Sequence, residues 1–407
     1  MSEERPANPA DGRLPATVIG LGVVSLLTDV SSEAIFPLLP AFLATLGASN
    51  TFIGLVEGLA DVVANLLKYW TGAASDRRRK LKPWVLAGYG VSTLARPLVA
   101  FATAPWHVLV VRAGDRVGKG VRTSPRDALI AAVARPSERA RAFGFHRAMD
   151  HTGAAIGTLL GALALYALGA THGGDSDVRA MRTVFELALI PGLLAMIALA
   201  LVPEPTRPAP IAPADGAVAP AALPPALKRA LVPITLFAFA NATDAFILVR
   251  AARLGAPPVV APLLWLVLHV VKATTATVGG RLADRYGKRN ALALGWLVYS
   301  VTWSAVGLAP SVAFLFALVA VYGVSHGLVE GAEKGLIADL ASEARRGSAF
   351  GAYNMLSGFA SLAASLALGA AWDHFGAAAA FGGAGAAAAL AAVLLVALVP
   401  ARASSYR

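Results

Sequence analysis

Asp29 and Glu33 stand one helical turn apart in the apolar segment "GLGVVSLLTDVSSEAIFPLLP", and Glu33 precedes Pro37 by four residues. A carboxylate buried beside another can take up and release protons near neutral pH, the chemistry of proton coupling. A second group, Arg112, Arg116, Lys119, Arg122 and Arg126, runs through "RAGDRVGKGVRTSPRD". At 100° per residue these bases fall within an arc of about 120°. They form one basic stripe, suited to attracting anionic groups or neutralising facing acids. Arg122 and Arg126, flanking Pro125, also suit a plain anchor at a helix end. Gly118-Lys119 invites a phosphate-loop reading. That loop needs a glycine five residues before its second glycine and a Ser or Thr after the lysine; Ala113 and Gly120 stand there instead.

Further charges follow the same helical spacing. Glu57, Asp61, Asn65 and Lys68 share a face within about 80°, which reads as a structural and gating network. Asp244, Glu330, Glu333 and Lys334 lie in later apolar segments. Arg147, Asp150 and His151, with His269 and Lys272, are candidates for contacts at a second interface. His151, His269 and His326 are candidate proton relays, and none shows the spacing of a metal site.

These charges sit in a chain of 407 residues that is 57% hydrophobic and 14% charged, with a mean hydropathy of +0.64. A soluble chain carries roughly 25% charged residues. Apolar runs of about 20 residues, enough to cross a hydrocarbon core, recur throughout. They predict an all-α polytopic membrane protein of twelve spans: 16–46, 51–74, 83–103, 105–132, 140–170, 181–202, 229–251, 258–283, 289–308, 311–339, 347–372 and 377–400. About ten bases and eleven acids fall within them. Turning all of these to lipid would cost on the order of 50–70 kcal/mol, against ~5–15 kcal/mol of net stability. Most must therefore face one another or a water-filled cavity. There is no cysteine, so disulfides and thiolate metal sites are excluded. The first residues lack the pattern of a cleaved leader, so the first span is expected to remain.

Twelve spans place both termini on one side. That side holds 21 Lys and Arg, and the other only Arg179, Arg182, Arg250 and Arg253. The positive-inside rule makes it the cytoplasmic side. This asymmetry accounts for the net charge of +11 without nucleic acid. Residues 203–228, rich in Pro and Ala, form a cytoplasmic linker between six-helix bundles at 16–202 and 229–400, with tails at 1–15 and 401–407. The bundles are related: segments beginning at Leu46 and Leu254 align without a gap at an offset of 208, sharing Leu-Gly-Ala and, later, Gly-x-x-x-Asp-Arg. Two six-helix repeats are the organisation of secondary transporters.

Gly72-x-x-x-Asp76-Arg77 followed by Arg79-Lys80, and Gly280-x-x-x-Asp284-Arg285-x-Gly287-Lys288-Arg289, resemble the loop motif of the major facilitator superfamily. The first copy has Arg79 where that family prefers Gly. Arg112 with Gly118 and Gly120 is similar to the family's fourth-helix motif, with Arg116 in place of its first glycine. Gly153, Gly157 and Gly161 resemble its antiporter motif, with Thr158 for Pro and Ala162 for the last Gly; such spacing also serves helix packing. The acid before proline in span one is similar to that of the family's proton-coupled drug exporters.

The resemblance implies a proton-coupled exporter of the bacterial inner membrane working by alternating access. It would take a small-molecule substrate, need no cofactor beyond the proton gradient, bind no nucleic acid and act as a monomer. Asp29 and Glu33 are then the proton-coupling candidates. Arg112, Arg116, Lys119, Arg122, Asp244 and Glu330 are candidates for the substrate cavity. The loop motifs with Glu57, Asp61, Glu333 and Lys334 would gate, the span-ten charges facing span four across the halves. Uptake or exchange of an anionic metabolite is the alternative. Remoter ones are an intramembrane enzyme acting on lipid phosphates and a non-transporting receptor.

Overall fold

The computed structural model describes residues 14–76, 80–134, 139–170, 175–204, 223–341 and 346–400, all of them helix or connecting turn, with no strand among the described residues. Span one, Ala16–Thr45, contains a turn of 3-10 helix at Phe36–Leu38. Span two is Asn50–Asp76; span three is Lys82–Ala95 extended by the 3-10 turn Arg96–Phe101; span four is Pro105–Val133; span five is Arg139–Ala167. Span six joins Asp175–Leu187 to Leu189–Leu201, and span seven joins Pro225–Ala240 to Ala245–Arg253. Spans eight to twelve are Val260–Tyr286, Lys288–Leu308, Val312–Leu340, Arg346–Phe375 and Ala377–Leu398. Among the described residues, nine spans are long and apolar enough to cross a bilayer by length and composition. Spans four, five and eight fall short of that measure.

Three interruptions have local causes. Pro37 has no N–H for the Glu33 carbonyl one turn back, so span one tightens into 3-10 helix there. In span six, Pro191 has no N–H for the Leu187 carbonyl, next to the break at Ala188, and the Ala188 carbonyl accepts the Ser31 hydroxyl of span one at 2.8 Å. In span seven the Ala240 carbonyl accepts the Tyr299 hydroxyl at 3.0 Å, and the Thr243 N–H donates to Ser365 Oγ at 3.2 Å. Backbone groups freed in a membrane interior need such partners. Span seven also begins four residues before the expected 229, because Pro225 occupies the first helical turn, where its missing N–H costs nothing.

The packing repeats with the sequence. Span one packs on spans five and six as span seven does on eleven and twelve; span four packs on two and three as ten does on eight and nine. The halves meet along two seams, span two on eleven and span five on eight, which the repeat exchanges. Span five approaches span one so closely that a Cβ on Gly153 would lie 2.3 Å from the Leu26 carbonyl oxygen and one on Gly157 2.5 Å from that of Val30. The glycine spacing read as antiporter-like is thus a packing seam. Between spans eight and nine, Gly287 turns the chain at a φ of +90°, which glycine alone adopts cheaply.

Candidate functional site

In the first half, charges of spans two, three and four converge into one buried chain that also reaches the backbone of span one. Arg112 Nε and Nη2 donate to Glu57 Oε1 and Oε2 at 3.1 and 2.8 Å, a bidentate pair between spans four and two. Arg112 Nη1 lies 3.5 Å from Asp115 Oδ2. Arg96 of span three donates from Nε to Asp115 Oδ1 and from Nη1 to the Thr28 carbonyl of span one, each at 3.0 Å. Two arginines and two carboxylates, all buried, therefore neutralise one another and tie four spans together.

This corrects the stripe. Arg112 neutralises acids rather than lining an open wall. Arg122 turns into its own half, donating to Ser92 Oγ at 2.6 Å with its guanidinium 4.4 Å from the Tyr89 ring centroid. Arg126 pairs with the adjacent Asp127 at 2.9 Å. Pro125 and the tight fit of Gly118 and Gly120 against spans three and two fix the roll of span four, and that roll spends these three bases locally. Arg116 and Lys119 are only partly buried, without an ion pair among the described residues. The charges acting on Lys119 include Arg116, Lys68 and Asp29.

The span-one acids separate. Asp29 lies in the field of Asp150, Glu33, Lys119 and Arg122. Glu33 does not reach the basic stripe; it crosses to the other half, where Trp265 Nε1 of span eight donates to Glu33 Oε2 at 2.8 Å. His269 Nε2 stands 4.0 Å from the same oxygen. The Trp265 ring packs on Phe36 at 4.8 Å between centroids, and the Arg112 guanidinium lies 5.0 Å from the Phe36 ring centroid.

The second half has its own cluster. Asp244, at the break of span seven, accepts the Tyr322 hydroxyl on Oδ1 and Lys272 Nζ on Oδ2, the latter at 3.3 Å. The expected contacts at the second interface are thus largely replaced by pairs within each half. Lys272 goes to Asp244, and Asp150 accepts the Ser25 hydroxyl of span one with Arg147 Nη1 at 3.6 Å; among the described residues, His269 of that group reaches an acid across the halves. Glu330, Glu333 and Lys334 line a cavity of about 340 Å³ in the second half. Glu333 lies beside Tyr353 of span eleven, and no ion pair joins these residues to span four among the described residues. Lys68 donates to Asn65 Oδ1 at 3.2 Å, and Asp61 lies within its field.

Of the loop motifs, Arg77 lies outside the described residues, as do the side chains of Asp76 and Asp284, while Gly72 belongs to span two. Gly280 has open space beside it, and Arg285 lies 5.3 Å from the Tyr286 ring centroid. Lys288, in the second copy, donates to Asp339 Oδ2 of span ten at 2.6 Å. Among the described residues no group of three His, Asp or Glu is placed to hold a metal ion. Trp265, Tyr322 and Asp373 have roles the sequence did not reveal. Asp373 belongs to the end of the molecule opposite the termini, where it accepts four hydrogen bonds from Asn50 and Thr51.

The arrangement has the parts of an alternating-access carrier: two pseudo-symmetric halves, embedded charges and contacts across the seams. The chain is 30% identical over 371 residues to an uncharacterised MFS-type transporter of Methanocaldococcus jannaschii, covering 90% of each. It is 28% identical over 169 residues to the multidrug resistance protein MdtH of Proteus mirabilis, 41% of this chain and 42% of that one. The fold is similar to that of the nucleoside transporter NupG, with a TM-score of 0.75 at 14% identity over 94% of this chain and 98% of the other. The family model for the Major Facilitator Superfamily matches residues 21–268 and 234–406. The chain is therefore a membrane transporter rather than an enzyme, and it belongs to the major facilitator superfamily.

Proposed function

We propose that this transporter exports a small solute from the bacterial cytoplasm in exchange for protons, with both termini cytoplasmic and the monomer as the working unit. The bond from Trp265 Nε1 to Glu33 carries the reading. It ties a carboxylate of the first half to a donor of the second. A proton on Glu33 removes the charge that strengthens the bond. Proton binding then changes the balance between conformations, as coupling requires. Asp29, one turn away and acted on by Lys119 and Asp150, is the second acid of the relay.

The partial likeness to MdtH favours export. The asymmetry of Lys and Arg supports the orientation. For uptake of an anionic metabolite, the stripe of span four keeps Arg116 and Lys119 without an ion pair among the described residues, since Arg112, Arg122 and Arg126 are engaged. The contacts between Asp373 and span two, with no hydrogen bond or ion pair between spans four and ten among the described residues, fit a state closed on the outer side.

The test is flux in proteoliposomes under imposed pH and voltage gradients. Proton-driven flux should vanish in Glu33→Gln while substrate counterflow persists; undiminished proton-driven flux in that variant would remove Glu33 from the mechanism.

A further inference from the structure

Two groups of span eight, Trp265 and His269, stand one helical turn apart and converge on a single oxygen of the other half. Trp265 Nε1 donates to Glu33 Oε2 at 2.8 Å, while His269 Nε2 stops 4.0 Å short of the same atom. The His269 ring stands edge-on to Trp265, 5.4 Å between centroids at 69°, and Trp265 rests on Phe36 at the 3-10 turn of span one. Packing, not a hydrogen bond of its own, therefore holds the imidazole beside Glu33. Among the described residues neither His269 Nδ1 nor His269 Nε2 has a hydrogen-bond partner, and both are shut off from solvent.

An imidazole always carries at least one N–H, so a buried ring with both nitrogens unpaired is costly and calls for a partner in another state of the protein. The charged and titratable groups acting on it are Glu33 of span one, His151 of span five, Asp244 of span seven, Lys272 of its own span and His326 of span ten. Asp244 is already taken by Lys272 at 3.3 Å and by the Tyr322 hydroxyl. Glu33 is thus the carboxylate left to meet the ring. Closing the gap to a charge-assisted bond is a movement of about 1 Å, and contacts that transfer protons are often this loose until the working complex tightens them. The two groups also differ in their access to water. The Glu33 side chain is 22% exposed, whereas both ring nitrogens of His269 are closed, so a proton from water reaches the ring through the acid.

Resting on the coupling reading of Glu33, we infer that His269 is its proton-carrying partner: the proton that Glu33 takes from water passes to His269 Nε2, and the resulting pair of carboxylate and imidazolium locks span one to span eight. The step breaks the Oε2–H bond of the carboxylic acid, whose electron pair stays on the oxygen, and forms an N–H bond with the lone pair of Nε2. The net charge of the pair is zero before and after, so the transfer leaves no unpaired charge in the membrane interior. One proton thus has two positions with opposite effects. On Glu33 it weakens the Trp265 bond and lets the halves part; on His269 it restores that bond and adds an ion pair at the same oxygen. The seam is held while the proton is on the ring and released when the proton returns to the acid.

Nitrogen-15 NMR of the full-length protein in liposomes, labelled at histidine, reads the ring directly and needs neither substrate nor gradient. Between about pH 5 and 8, where imidazoles gain their charge, one histidine should become an imidazolium whose N–H carries the downfield proton shift of a bond to a carboxylate. His269→Gln should delete that signal. Glu33→Gln, which leaves every histidine in place, should abolish the shift and slow exchange of that ring N–H with deuterated water about tenfold or more, because the acid is the route of the proton. A pair that only held the helices together would exchange faster once broken. Glu33→Asp should keep part of the shift. Thermal unfolding verifies each variant, and if His269→Gln does not fold, the histidine altered by Glu33→Gln identifies the signal. No carboxylate-bonded imidazolium in the folded protein, a shift that survives Glu33→Gln or His269→Gln, or exchange in Glu33→Gln as fast as in the parent overturns the inference. Proton-driven flux lost in Glu33→Gln without such an imidazolium sinks the relay and leaves the coupling reading standing. Flux that survives Glu33→Gln sinks the coupling reading, and the relay with it.

Discussion

Asp373 of span eleven caps the start of span two from the other half of the molecule: its Oδ2 accepts both the N–H and the hydroxyl of Thr51, at 2.8 and 2.7 Å. Its Oδ1 accepts the N–H and the side-chain amide of Asn50 at 3.1 and 2.8 Å. The first N–H groups of a helix have no partner within the helix and attract negative charge. Here that need is met across the seam, so the cap holds only while the halves are closed at this end. Replacing a capping side chain by Ala costs about 1 kcal/mol. Asp373→Ala should therefore shift the closed-to-open balance by roughly fivefold toward opening at the end away from the termini. The chain has no cysteine, so labels at Thr45→Cys and Ala252→Cys report this directly. Spin-label distances between them should lengthen in Asp373→Ala; an unchanged distribution removes the cap from gating.

The chain of Glu57, Arg112, Asp115 and Arg96 makes a stability prediction. Removing one partner of a buried pair strands the other and costs about 3–5 kcal/mol. Arg112→Ala should lower the thermal unfolding temperature sharply in detergent. Arg112→Lys should recover little, because an ammonium cannot reproduce the two-pronged contact to Glu57 at 2.8 and 3.1 Å. The double variant Glu57→Leu, Arg112→Met should be more stable than Arg112→Ala. If all three melt alike, the pairing contributes no more than packing.

Trp265 and Glu33 should behave as one unit. Trp265→Phe keeps an aromatic ring against Phe36 but deletes the N–H that Glu33 accepts at 2.8 Å. A hydrogen bond to a charged group contributes about 1.5–3 kcal/mol. Trp265→Phe and Glu33→Gln should each move the same spin-label distribution toward opening, and the double variant should move it little further. Additive shifts would show that the two act separately.

How much of this was legible depends on what kind of signal carries each feature. Hydropathy and helical spacing are local, so they outline the twelve spans and place Glu57 and Arg112 in the interior. The energy of a lone charge in lipid then demands partners for them. It does not name those partners, because pairing depends on how each helix is rolled about its axis. Arg122 and Lys119 share the stripe by spacing, yet the contact of Gly118 with Ser92 turns Arg122 toward span three. Trp265 reads as ordinary apolar packing, since nothing local marks an indole N–H that will meet a carboxylate 232 residues away. Asp373 reads as an end-of-span charge because the helix it caps begins 323 residues earlier. The loop motifs were the converse case, plain as strings but informative about family rather than contacts.

The glycines of span five give the last prediction. They resemble an antiporter motif by spacing, while their positions make them the close seam with span one. A Cβ on Gly157 would lie 2.5 Å from the Val30 carbonyl oxygen and 2.8 Å from its Cα. Both neighbours are backbone, so the clash can be relieved only by moving one helix from the other. Overpacking of this kind costs about 1–3 kcal/mol. Gly157→Ala should therefore lower the unfolding temperature, whereas Gly144→Ala, where nothing lies within 4 Å, should raise it slightly or leave it unchanged because Ala is the better helix former. Val30 lies between Asp29 and Glu33, so the displaced seam also moves both acids. Gly157→Ala should then slow proton-driven flux more than substrate counterflow, and an equal loss of both would assign the seam to stability alone.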